Sequence, residues 1–327
     1  MGRSLLLDSL RILAIALVLI AHTGQLLGHE SGAFFGWKNI YFVSLGGVGV
    51  TLFLVLSGVL AGLARPVPLK GYAAYLFKKI QRIYPLYWIS IPLAMFGYAL
   101  SDGLLQGDMP DLFPNGVAVD LVGSLTGFYA WWGLWGGPYN PPSWYISLIM
   151  SLYMLAPALV YLLNRWALPA LLILFCVSLA SRWYVGQWGL PFLDISVLEQ
   201  VEGWLYRQYG FMPGRPGDWF PPCRLFEFGL GIYLALMLPP TAWQSLKLPL
   251  TGLVRKLSDL SFPLFLVHYP FLFLVETFRD TGITVSLAIS LYLGLMLLLA
   301  DYCSRLESWL LRKLRKKKRA QDVHAET

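Results

Sequence analysis

The chain has 327 residues, of which 57% are apolar and only 13% charged, against about 25% charged in soluble domains; its mean hydropathy is +0.60. Apolar stretches of about 18 residues or more recur along its length, each long enough to cross a bilayer. That excludes a soluble enzyme and a basic nucleic-acid-binding domain as the expected class, and the net charge of +7 reads instead as cytoplasmic loops facing anionic headgroups.

The first apolar stretch, 5–27, carries three ionisable groups among Leu, Ile, Ala and Val: Asp8, Arg11 and His22. Eleven residues come within about 20° of a whole number of helical turns, so Arg11 and His22 share a face, with the imidazole about 16 Å further along the axis. Asp8, three positions before Arg11, falls on that face as well. Ionisable groups at membrane depth are costly and face a protein interior or a water-filled cavity, which makes this stripe the candidate catalytic axis. Arg3 before an apolar run resembles a signal peptide, but Asp8 and Arg11 inside the run and the missing small-residue cleavage site predict a retained helix.

Further spans are expected at 41–64, 83–100, 143–163, 168–186, 224–238, 258–277 and 283–303. The stretch 117–134 is ambiguous, because Asp120, Ser124, Thr126 and several glycines interrupt it. Lys and Arg concentrate in 65–82, at Arg165, in 239–257 and in the tail, where Arg312 to Arg319 holds seven basic residues in eight. Segments 28–40, 101–142 and 187–223 are poorer in them, so both termini are predicted cytoplasmic, and 117–134 does not cross alone. The expected fold is thus an all-α polytopic membrane protein with an even number of transmembrane helices, eight to ten. It forms one domain over 1–310, followed by a basic cytoplasmic tail over 311–327. The loop 187–223, rich in Pro and Trp, suits either sugar stacking or the membrane interface.

Cys176, Cys223 and Cys303 have no CxxC spacing and predict neither a disulfide framework nor a zinc site. GxSxG, HExxH, Walker A and GxGxxG signatures are all missing, so no metal site is expected. The polar groups left at membrane depth are Asp8, Arg11, His22, Arg224, Glu227 and His268.

Several segments then resemble one family in order. Leu7-Asp8-Ser9-Leu10-Arg11 with His22 is similar to the opening "LDxLR…H" of the membrane acyltransferase-3 family, and Gly49 to Gly58 to its "GVxLFFVLSG" helix. Lys79-Ile80-Gln81-Arg82-Ile83-Tyr84-Pro85 resembles its "RxxRIxP" element, and Arg224-Leu225-Phe226-Glu227-Phe228 its "RxxEF". Leu257 through His268-Tyr269-Pro270 resembles "LxxxSYxLYLxHxP". There are departures. Lys79 replaces the usual Arg, and Trp144 to Met150 stands for "WSLSVEE" with Ile149 and Met150 in place of the acidic pair.

The resemblance implies an integral O-acyltransferase of the cell inner (plasma) membrane, multi-pass, with no permanently bound cofactor. Acyl-CoA, with acetyl the expected acyl group, is the implied co-substrate, and a glycan or glycoside hydroxyl on the far side is the acceptor. Nucleic acid is not an expected partner; the oligomeric state is left open. His22 is then the general base, with an acyl-histidine as the covalent alternative. Arg11 is expected to touch substrate, and Asp8 either joins it or only makes its charge tolerable. Lys78, Lys79 and Arg82 are expected to bind donor phosphates, or are only markers of the cytoplasmic side. Trp144, Arg224 and Glu227 are assigned to the acceptor side near the level of His22, although Arg224 and Glu227 also suit a structural i,i+3 pair. His268 reads as a helix-end hydrogen-bonding residue, and Ser57 as a small residue for close packing. Gly46, Gly47 and Gly49 suit a channel running close to backbone. The rival classes are a transporter or polysaccharide-export component, whose polar stripe lines a path without bond making, and a glycan polymerase using a polyprenyl-linked substrate.

Overall fold

The computed structural model describes residues 4–28, 31–34, 37–64, 69–105, 107, 113, 116–129, 140–188, 216–243 and 250–325. Each apolar stretch named above folds as helix: α1 Leu5–Leu26, α2 Phe42–Gly62, α3 Tyr72–Leu105, then α4 Val117–Thr126, α5 Trp144–Trp188, α6 Leu225–Met237, α7 Thr251–Val267, α8 Phe273–Asp280 and α9 Val285–Ala325. The all-α expectation omits one element, a short antiparallel hairpin of β1 Ser31–Phe34 and β2 Trp37–Tyr41 between α1 and α2.

Among the described residues five helices are long and apolar enough to cross a membrane, or six when α7 and the following Tyr269–Asp280, bent by 66°, count as one span. Among its described residues the ambiguous stretch contributes the ten-residue α4, about 15 Å of helix, half of what a bilayer core needs. The Trp-rich loop lies mostly outside the described residues.

Two breaks shape the bundle. The long α5 leaves helical geometry at Ala167 (φ 34°, ψ −111°), two residues before Pro169. Leu163 and Leu174, on either side of that break, both approach Gly229 of α6, so α5 doubles back as the two spans expected from sequence. The second break follows α7. Pro270 has no N–H to bond the carbonyl one turn back, and the orphaned Leu266 oxygen accepts instead from Asn140 Nδ2 at 2.7 Å.

Contacts give the direction of each segment. Asp8 meets Ser258 and His22 meets His268, so α1 and α7 are parallel. Gly46 of α2 packs on Ala21 and Gly49 on Ala14, which makes α2 antiparallel to α1. On α3, Tyr72 bonds the Met154 carbonyl and Gly97 packs on Pro270. The first half of α5 starts beside the C-terminal end of α7, through Asn140, and descends to Met154. Its second half returns, with Arg182 at Glu227. On α6, Arg224 reaches Thr51 and Ala235 packs on Gly62. On α9, Tyr292 bonds the His268 carbonyl, while Ser304 and Glu307 face Arg11. Among the described residues eight segments therefore alternate in direction in chain order.

α2 and α6 cross closely because both present glycine. A Cβ at Gly58 would collide with the Phe228 carbonyl, and one at Gly231 with the Val55 carbonyl. Small residues allow such backbone approach in membrane bundles. Gly46 and Gly49 serve α1–α2 packing in the same way, so these two glycines are explained by helix contact rather than by a channel.

Candidate active site

The stripe on α1 is held at both ends by α7. At its N-terminal end, Asp8 is buried and accepts from Ser258 Oγ at 2.8 Å. It also pairs with Arg11 at 3.5 Å. Asp8 thereby pins α1 to α7 and fixes the guanidinium, whose side chain keeps 22% exposure. That exposed face lines a cavity of about 250 Å³, together with Arg82 of α3, Ser57 and Phe53 of α2, Tyr145 of α5, Ser258 of α7, and Ser304 and Glu307 of α9.

At the other end, His22 Nδ1 lies 2.8 Å from His268 Nε2, and the two rings are nearly parallel, with centroids 5.0 Å apart. His268 is fully buried, and its Nδ1 faces the carbonyls of Leu264 at 3.1 Å and Phe265 at 2.9 Å. Carbonyls only accept, so Nδ1 of His268 carries the proton and donates it there. For the neutral pair this network assigns both tautomers. His268 Nε2 is an acceptor, His22 Nδ1–H donates to it, and the lone pair of His22 is on Nε2. Tyr269 packs edge-on against His22 at 5.1 Å.

Of the donor candidates, Arg82 lines the cavity. The Lys79 ammonium lies 4.0 Å from the Tyr153 ring centroid and 5.3 Å from that of Tyr75, a cation–π cage in the wall beside Arg82. Lys78 is exposed and is not among the cavity-lining residues.

Trp144 opens α5 directly after Asn140 to Ser143, at the histidine end, buried against Tyr145. Arg224 and Glu227 pair at 3.4 Å within a larger group. Arg224 donates to Thr51 Oγ1 at 2.9 Å, Arg182 pairs with Glu227, and Arg182 Nε donates to the Cys223 carbonyl at 2.9 Å. Thr51 lies two residues beyond Gly49, which packs on Ala14 and Val18. The Arg224 guanidinium is thus set deeper than the expected level of His22.

Sequence reasoning missed two partners: Arg182, hidden in a long apolar run, and His268 as the ring that orients His22. It also read Ser57 as a packing residue only. Gly58 makes the close helix contact, whereas Ser57 lines the cavity together with Tyr145.

Comparison with known proteins agrees with the motifs. The acyltransferase-domain family, acyltransferase-3, matches residues 5–239. The chain belongs to this family. A curated relative, acyltransferase MdmB of Streptomyces mycarofaciens, is 26% identical over 223 residues, covering 64% of this chain and 51% of its own. The match thus spans about half the length of that relative. No solved structure matches. The family match ends before α7, so Ser258 and His268, which hold the two ends of the α1 stripe, come from outside it.

Proposed function

We propose that this protein is a multi-pass O-acyltransferase of the inner (plasma) membrane, using acyl-CoA, most simply acetyl-CoA, from the cytoplasmic side. The acceptor is a hydroxyl of a glycan or glycoside at the opposite side. The alternating segments support eight crossings with both termini cytoplasmic, and that orientation puts the cavity mouth with Arg11 and Arg82 at the cytoplasmic face.

One observation carries this reading: a single helix links a cavity that presents two guanidinium groups, Arg11 and Arg82, at one end to an oriented imidazole at the other. Donor phosphates pair with the Arg82 guanidinium at the mouth, where planar forked donors suit phosphate oxygens. The pantetheine arm extends past Arg11 towards His22. His22 Nε2 takes the proton of the acceptor hydroxyl as its oxygen bonds to the thioester carbonyl carbon. The C–S bond then breaks, and the proton passes to the departing sulfur to give free CoA. His268 accepts from Nδ1–H throughout, so it fixes the ring and stabilises the imidazolium, the part an orienting carboxylate plays in hydrolase triads.

The test uses the purified full chain. Acetyl-CoA binding, with slow thioester hydrolysis lost in His22→Ala, supports the reading. A protein that neither binds nor turns over acyl-CoA is an export component instead.

A further inference from the structure

The donor cavity stops short of the histidine it must serve. On α2 its lining runs through Leu60, Ser57, Leu56 and Phe53; on α7 it ends at Pro263. Phe265 stands two residues further along α7, its ring centroid 6.1 Å from that of His268. Phe53 and Phe265 are 6.0 Å apart, Tyr145 and Phe265 5.4 Å, and Phe53 and Tyr145 6.2 Å. Three rings from α2, α5 and α7 therefore close on one another between the cavity and the histidine pair.

We infer that Phe53, Tyr145 and Phe265 form an acyl-size filter, which admits short acyl thioesters to His22 and rejects long ones. The inference rests on the acyl-CoA reading above. An acyl group entering from the Arg11 side must pass this ring contact. Two of the rings are nearly buried, Phe265 at 4% and Tyr145 at 6% exposure, so they yield little, because packed interiors resist local expansion. Phe53 is only partly buried and borders the cavity directly, so it is the ring through which the passage can be widened. Rejection of this kind is steric, and each methylene that fails to fit costs about 10–200-fold in discrimination.

The experiment compares kcat/KM for acetyl-, butyryl- and hexanoyl-CoA in the purified full chain, read as thiol release and acyl transfer to an added glycoside. Wild type is expected to favour acetyl over hexanoyl by about a hundredfold or more. Phe53→Ala raises the hexanoyl-to-acetyl ratio at least tenfold, and Phe53→Leu, which keeps an apolar side chain and guards against misfolding of the alanine variant, raises it by a smaller factor. A wild type that uses all three thioesters equally overturns the filter, as does transfer with an unchanged ratio in both variants; the donor reading then survives. Absence of turnover from every thioester, in wild type and variants alike, overturns the donor reading and the filter with it.

Discussion

His22 and His268 lie 246 positions apart in the chain, yet their Nδ1 and Nε2 atoms are 2.8 Å apart. The pair is oriented from the backbone up: Pro270 breaks the helix, His268 folds back on two carbonyls of its own last turn, and its remaining nitrogen fixes the ring of His22. An imidazole held in this way has its lone pair directed before substrate arrives.

His22→Ala is therefore expected to abolish acyl transfer, a loss of about 10²–10⁴ in rate, with acyl-CoA binding unchanged. His268→Ala lowers kcat by a smaller factor and leaves the donor KM in place. His268→Gln, whose side-chain oxygen reaches the position of Nε2, recovers part of that loss. Parallel rate and binding measurements decide it; equal loss in the glutamine and alanine variants would remove the orienting role.

At the mouth, charge of both signs surrounds the proposed donor path. Arg82 lines it, and so does Glu307. Arg82→Ala is expected to raise the acyl-CoA KM several-fold, and Glu307→Gln to lower it, because one repelling charge is removed from the approach of an anionic donor. Lys79→Arg keeps the cation over Tyr153 and retains activity. Michaelis constants at two salt concentrations check the assignment, since screening shrinks both effects.

Asp8 is a structural anchor first. Its carboxylate holds both Ser258 and Arg11, and removing it leaves a partly buried guanidinium beside an unmatched hydroxyl. Asp8→Ala is expected to cost about 1–3 kcal/mol, the usual penalty for leaving a buried hydrogen-bonding group such as the Ser258 hydroxyl unsatisfied, read as a lower melting temperature in detergent. Gly58→Val, by contrast, forces α2 off α6 and prevents accumulation of folded protein. A stable, active Gly58→Val would contradict the described helix crossing.

Helix positions were largely legible because membrane spans write themselves as long apolar runs. The stripe of Asp8, Arg11 and His22 was legible from the helical repeat alone. Long-range partners were not. Nothing in the local pattern around His268 distinguishes a ring bonded to carbonyls from one bonded also to another helix, and Arg182 stands at the end of an apolar run with no charged neighbour at i±3 or i±4 to mark it. The hairpin at Ser31–Tyr41 escaped for another reason, since short polar and aromatic strands between two spans carry no hydropathy signal. The glycines of α2 looked alike in sequence, but Gly58 is separated from its neighbours by what stands opposite, the backbone of α6.

The last prediction concerns orientation, because it ties the charge pattern to the direction of transfer. Among the described residues eight segments alternate, and α1 and α7 run parallel, so the Arg11 end of one and the Ser258 end of the other share a side. Lys70 just before α3, Arg255 and Lys256 in the first turns of α7, and Arg312 and Lys313 towards the end of α9 all fall on that same side, as the positive-inside bias requires of the cytoplasmic face. A cysteine placed at position 70 should be labelled only from the cytoplasm. A reporter fused after residue 327 should be active only in its cytoplasmic form, and one inserted near residue 215 only in its external form. An external position 70 would turn the cavity mouth to the outside, away from any cytoplasmic CoA, and the donor and acceptor ends assigned here would exchange.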